Sequence, residues 1–98
     1  MSDKQYYYAI SYTCCGGYGA DYFNGFRPHK TKSHLMIKES KSVMVRKSFM
    51  KWKYKETAFK WLQRIKDETK ESFKEYNCMV EKITWDNGCW RTVEICKR

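Results

Sequence analysis

The chain is poor in the usual core residues. It has two leucines, Leu35 and Leu62, three alanines, and one proline, Pro28. No stretch approaches the ~18 apolar residues that would cross a bilayer as a helix, so no membrane role is expected. The start, Met1-Ser2-Asp3-Lys4-Gln5, lacks a basic segment followed by an apolar run, and so does not read as a secretory signal. The five cysteines are an odd number, and Cys14 and Cys15 are adjacent. That pattern is unlike a secreted disulfide framework. Together these absences suggest a reduced, cytoplasmic protein. Acids are scarce too: eleven Asp and Glu face twenty Lys and Arg, for a net charge of +9.

What is present is aromatic. Seventeen Phe, Trp and Tyr and five methionines supply the apolar mass of a 98-residue chain. That length makes one domain with room for one core. A few aromatics can close such a core, because each buries a large area. Tyr, Phe, Trp, Val and Ile also favour pleated, half-buried strands.

The charge is concentrated. Arg27 to Lys55 holds ten bases (Arg27, Lys30, Lys32, Lys38, Lys41, Arg46, Lys47, Lys51, Lys53, Lys55) against one acid, Glu39. The flanking segments nearly cancel within themselves. An excess packed into under a third of the chain reads as a binding surface for an acidic or phosphate-bearing partner.

Along the chain, Gln5 to Thr13 alternates as a strand. Tyr6, Tyr8, Ile10 and Tyr12 share one face; Tyr7, Ala9 and Ser11 share the other. Three consecutive tyrosines invite comparison with a base-stacking platform, but a strand with one tyrosine row in the core is the simpler expectation. Cys14 to Pro28 is rich in glycine and aromatics, including Tyr18, Tyr22 and Phe26. Tyrosines on a glycine-rich loop suit an adaptable protein-binding surface. Asn24-Gly25 between Phe23 and Phe26 is a type I′ hairpin signal. Ser33 to Lys38 reads as a strand, Glu39-Ser40-Lys41 as a turn, and Ser42 to Tyr54 as a longer strand. The face shared by Val43 and Val45 changes to one shared by Met50, Trp52 and Tyr54, so either a bulge near Lys47 to Phe49 or two separate strands is expected. If the aromatics there point inward, Lys51, Lys53 and Lys55 form a row on the opposite face.

Glu56 to about Glu75 reads as a helix, with Ala58, Leu62, Ile65, Thr69 and Ser72 at helical spacing. Its other face mixes signs and is a poor grip for phosphate. Tyr76 to Trp85 and Cys89 to Lys97 form a hairpin across Asp86-Asn87-Gly88. A two-residue turn would set Trp85 against Trp90, Ile83 against Thr92, Met79 against Cys96 and Val80 against Ile95. The expected class is α+β: one antiparallel sheet of about four to five strands with the helix across one face.

The residues offer little for catalysis or metal binding. Cys14, Cys15, His29 and His34 include a His-x4-His spacing that suits zinc, but adjacent cysteines do not match the usual C-x2–4-C. A cysteine nucleophile with a histidine and Asp21 has nothing in the pattern to assemble it. No phosphate-binding loop or complete dinucleotide fingerprint is present. The expectation is therefore a protein without catalysis, cofactor or metal. The candidate contact residues are Arg46, Lys47, Lys51, Lys53, Lys55, Tyr18, Tyr22, Phe26, Arg27, Lys30 and Lys32. Their chemistry points to a host protein or nucleoprotein partner, bound by a monomer or homodimer. By size and composition this resembles small phage-type inhibitors of defence nucleases such as CRISPR effectors, although no motif assigns a family. The alternative is direct binding of a DNA or RNA backbone. Fifteen of the twenty bases are lysine, a point-charge phosphate binder and a weak reader of bases.

Overall fold

A computed structural model describes residues 5–13, 21–37 and 49–97. The expected turn at Glu39 to Lys41, the first part of the Ser42–Tyr54 strand and the Cys14–Ala20 loop lie outside the described residues. So do Tyr18, Arg46 and Lys47.

The described residues form six strands and two helices. In chain order they are β1 (Tyr6–Tyr12), β2 (Asp21–Tyr22), β3 (Phe26–Pro28), β4 (Leu35–Ile37), α1 (Lys55–Thr69), α2 (Phe73–Tyr76), β5 (Met79–Asp86) and β6 (Cys89–Cys96). The α+β class holds. The single sheet does not: β2-β1-β5-β6 form one antiparallel sheet, and β3 pairs with β4 in a separate two-stranded one. The cause lies at Phe23. Its amide donates to the Ile10 carbonyl at 2.7 Å, holding the chain against β1. Its side chain is fully buried. Asn24-Gly25 is therefore a corner between the two sheets, and the expected hairpin is absent. Gly25, at φ 123°, adopts a conformation that side chains rarely tolerate.

β1 is buried on both faces. Tyr8, Ile10 and Tyr12 face α1, while Ala9 and Ser11 are buried on the far side. The three tyrosines therefore divide: Tyr6 and Tyr8 turn to the helix face and Tyr7 to the other. The core joins Ile10, Tyr12, Phe23, Ile37, Ala58, Phe59, Ile65, Tyr76, Val80 and Cys96.

α1 buries Ala58, Phe59, Ile65 and Thr69. Its expected length is interrupted after Thr69. The Thr69 hydroxyl donates back to the Ile65 carbonyl at 2.7 Å, a bond that tends to bend helices. Lys70 then takes a positive φ of 49°, and a 3₁₀ turn, Lys70–Ser72, leads into α2. Left-handed Asn77 ends the helical run. Among the described residues, no helix is long and apolar enough to cross a membrane.

The β5–β6 hairpin keeps the expected register near its turn, with Trp85 opposite Trp90 and Ile83 opposite Thr92. Beyond Ile83 the register shifts by one, so Lys82 faces Glu94 and Val80 faces Cys96. Val93 is the extra residue of a bulge. The expected pairs Met79–Cys96 and Val80–Ile95 are therefore wrong. In the unbulged register Glu81 would sit opposite Glu94, a like-charge pair; the bulge replaces it with Lys82 opposite Glu94. It also puts Cys96 under the helix and leaves Ile95 44% exposed.

The Ser42–Tyr54 strand is not continued by residues 49–54, which make one isolated bridge, Trp52 to Tyr8, before α1 begins. Trp52 stacks on Trp61 at 5.7 Å on the helix side of the sheet.

Ile65 is completely buried, so Ile65→Ala should cost about 2–5 kcal/mol in urea unfolding. Leu62 is only half-buried, so Leu62→Ala should cost clearly less. Equal losses would mean that α1 is rotated from this orientation.

Candidate binding surface

On the sheet face away from α1, five rings from four segments form a connected cluster. Phe49 stacks on Tyr22 at 4.5 Å and meets Trp90 edge-on at 5.6 Å. Trp90 also packs edge-on against Trp85 at 5.3 Å and Tyr7 at 6.0 Å. Local sequence explains each ring's position. The hairpin turn sets Trp85 opposite Trp90, and period-two alternation turns Tyr7 to this face. Trp85 remains 46% exposed.

Lys51 lies over this cluster. Its Nζ is 4.8 Å from the Phe49 ring centre and 5.1 Å from that of Trp90. An ammonium over a ring face is held by the ring quadrupole. Beneath the rings, buried Glu81 accepts from the Thr92 hydroxyl at 2.6 Å and the Tyr22 hydroxyl at 3.4 Å. Burial is the main cause pushing the Tyr22 phenol above its ordinary range. The Thr92 hydrogen bond opposes this and the Glu81 charge adds to it.

The expected contact residues separate in space. Lys51 sits on the aromatic face, while Lys55 opens α1 beside Cys96 on the helix face. Lys53 is exposed in the bend between them. The expected single lysine row is absent, because a row needs an extended strand and this segment has one bridge followed by a helix. Tyr22 and Phe26 are half-buried packing residues: Tyr22 lies against Phe49, and Phe26 meets Phe23 edge-on at 5.1 Å. Arg27, Lys30 and Lys32 belong to β3 and the connection to β4, in the other sheet. Lys32 is bound to Glu71 at 2.9 Å. That contact raises the lysine's pKa and lowers the carboxylate's.

Four rings of the cluster (Tyr7, Phe49, Trp85 and Trp90) were not among the expected contact residues. The Trp85–Trp90 pair was legible as a hairpin register. Its continuation through Phe49 to Tyr22 depends on non-local pairing.

The histidines serve the fold. His29 Nδ1 accepts the backbone N–H groups of Thr31 at 3.0 Å and Lys32 at 2.9 Å. Buried His34 shares a hydrogen bond with Ser72 Oγ at 3.1 Å. Cys14 and Cys15, the other half of the candidate zinc set, lie outside the described residues. Desolvation pushes the half-buried Cys78 thiol up to about 12, making it a poor nucleophile.

No family model matches this chain, and it has no match among curated proteins or solved structures.

His29 supplies a pH dependence. Desolvation, then the positive charges of His34, Lys32 and Arg27, hold its pKa below the ordinary 6.5. The neutral ring is thus favoured by folding. Its contribution is present above pH 6.5 and is lost as pH falls through the lowered folded value. Between about pH 7.5 and pH 5, the urea midpoint of the wild type should therefore fall further than that of His29→Ala. Parallel declines would show that the Nδ1 hydrogen bonds add nothing.

Proposed function

We propose that the chain is a non-enzymatic interaction protein, engaging a host nucleoprotein or nucleic-acid-handling enzyme through the aromatic, lysine-topped sheet face. In this reading it works in the host cytoplasm as a small phage-type inhibitor of a defence nuclease. The observation that carries it is Lys51 held over Phe49 and Trp90 next to exposed Trp85. Interface hot spots are enriched in Trp and Tyr on a packed support, which Trp85 supplies, and Lys51 adds the charge. An enzyme that handles nucleic acid presents acidic or phosphate-bearing surfaces, which attract an exposed lysine. Lys53, exposed in the bend that follows Lys51 and Trp52, is the next basic residue along the chain.

A second reading, direct and weakly sequence-specific binding of a DNA or RNA backbone, is favoured by one feature. Trp85 has enough free ring to stack on a base while Lys51 meets a phosphate.

The test is capture from a host lysate with the tagged chain. After nuclease treatment, the wild type should retain one defined protein. Trp85→Ala and the double variant Lys51→Ala/Lys53→Ala should each lose roughly tenfold in affinity for it, ~1.4 kcal/mol. Melting of the double variant should be unchanged, since exposed lysines contribute little stability. Loss of every partner on nuclease treatment would overturn the protein-partner reading and leave the second.

A further inference from the structure

A second basic site lies on the opposite side of the sheet. A groove of about 500 Å³ is lined by Lys55, Glu56, Phe59, Lys60 and Lys97. Lys55 and Lys60 come from the first turns of α1, and Lys97 follows β6. Lys82 of β5 joins them: it and Lys55 are both close enough to Cys96 for their charges to act on its thiol. Two carboxylates are near, Glu56 in the groove and Glu94 across from Lys82. Among the described residues, none of the four lysines forms an ion pair. The excess of lysine over carboxylate gives the groove a net positive charge, which attracts an anion.

We propose that this groove binds the phosphate backbone of a single-stranded nucleic acid. The occupant follows from what borders the lysines. Tyr54, immediately before Lys55, is 65% exposed, and Tyr6, which carries Lys82 Nζ over its ring at 4.8 Å, is 41% exposed. Lysines that track phosphates beside an exposed aromatic ring that accepts a base, here Tyr54, are the combination used by sequence-tolerant single-strand binders. An acidic peptide would use the lysines and leave the exposed Tyr54 ring idle. The site is separate from the aromatic face and uses different residues. It therefore stands or falls independently of the protein-partner reading.

The experiment is fluorescence anisotropy with a labelled oligothymidylate of about twenty nucleotides, titrated between about 50 and 200 mM salt. Wild type should bind with a steep salt dependence. Lys60→Ala/Lys97→Ala should reduce the log–log salt slope by about 1.4, at about 0.7 per phosphate contact on a single strand. Lys66→Ala/Lys74→Ala removes the same charge further along the helical segment and should leave the slope unchanged. Tyr54→Ala should weaken binding at constant slope. Three results would overturn the proposal: no salt-dependent binding by wild type, equal slopes for the two double variants, or poly-glutamate binding that Lys60→Ala/Lys97→Ala abolishes while oligonucleotide binding persists. Failure here with intact lysate capture would remove this site alone. Lost capture by Trp85→Ala with the expected slopes would leave both sites in place.

Discussion

Two backbone hydrogen bonds between Tyr8 and Trp52, at 2.7 and 2.8 Å, decide where the basic segment goes. They fasten the chain to the edge of β1 not occupied by β5, continuing the line begun by β2 and Phe23. The Met50 amide adds a bond to the Phe23 carbonyl at 3.1 Å. Buried backbone groups must find partners, and these residues find them on β1. The anchored segment then passes from one side of the sheet to the other. Phe49 and Lys51 are left on the aromatic face, Trp52 is stacked on Trp61, and Lys55 begins the helix on the far side. Lysines that are near neighbours in sequence thus serve two surfaces.

The bulge in β6 has a comparable reach. By placing Cys96 rather than Ile95 opposite Val80, it brings the end of the strand, and with it Lys97, beneath the start of α1. Without that extra residue, every side chain past Val93 would turn to the opposite face. Glu94 would then oppose Glu81, and the Lys82–Glu94 pairing would be lost. The bulge avoids a like-charge pair and helps build the lysine groove.

The two surfaces differ in character. On the aromatic side, the cation rests on a rigid platform of edge-on and stacked rings, with a buried carboxylate and two hydroxyls fixed below. Such a platform costs little further ordering on binding. On the helix side, long lysines ring a groove without ion pairs among the described residues. These side chains lose rotamer freedom when engaged, and their attraction is sensitive to salt. The first arrangement suits a specific contact, and the second a delocalised grip on a polyanion.

Much of the fold could be read from local pattern. Alternation in Gln5 to Thr13 located β1 and its two faces, helical spacing located α1, and Asn87-Gly88 located the hairpin and its Trp85–Trp90 pair. These signals act between residues a few positions apart, so sequence alone carries them. The concentrated charge also marked Lys51 as a contact candidate. Tertiary structure decided the rest. Asn24-Gly25 carries a hairpin signal, yet Phe23 is bound by β1 and the core, and the chain turns a corner instead. Lys51, Lys53 and Lys55 alternate as a strand would, yet β1 takes only Trp52 and the helix takes Lys55. Nothing local joins Tyr7, Tyr22, Phe49 and Trp90, or Lys55, Lys60, Lys82 and Lys97. The order β2-β1-β5-β6 assembles both groups, because strand pairing brings together residues that sequence separation conceals.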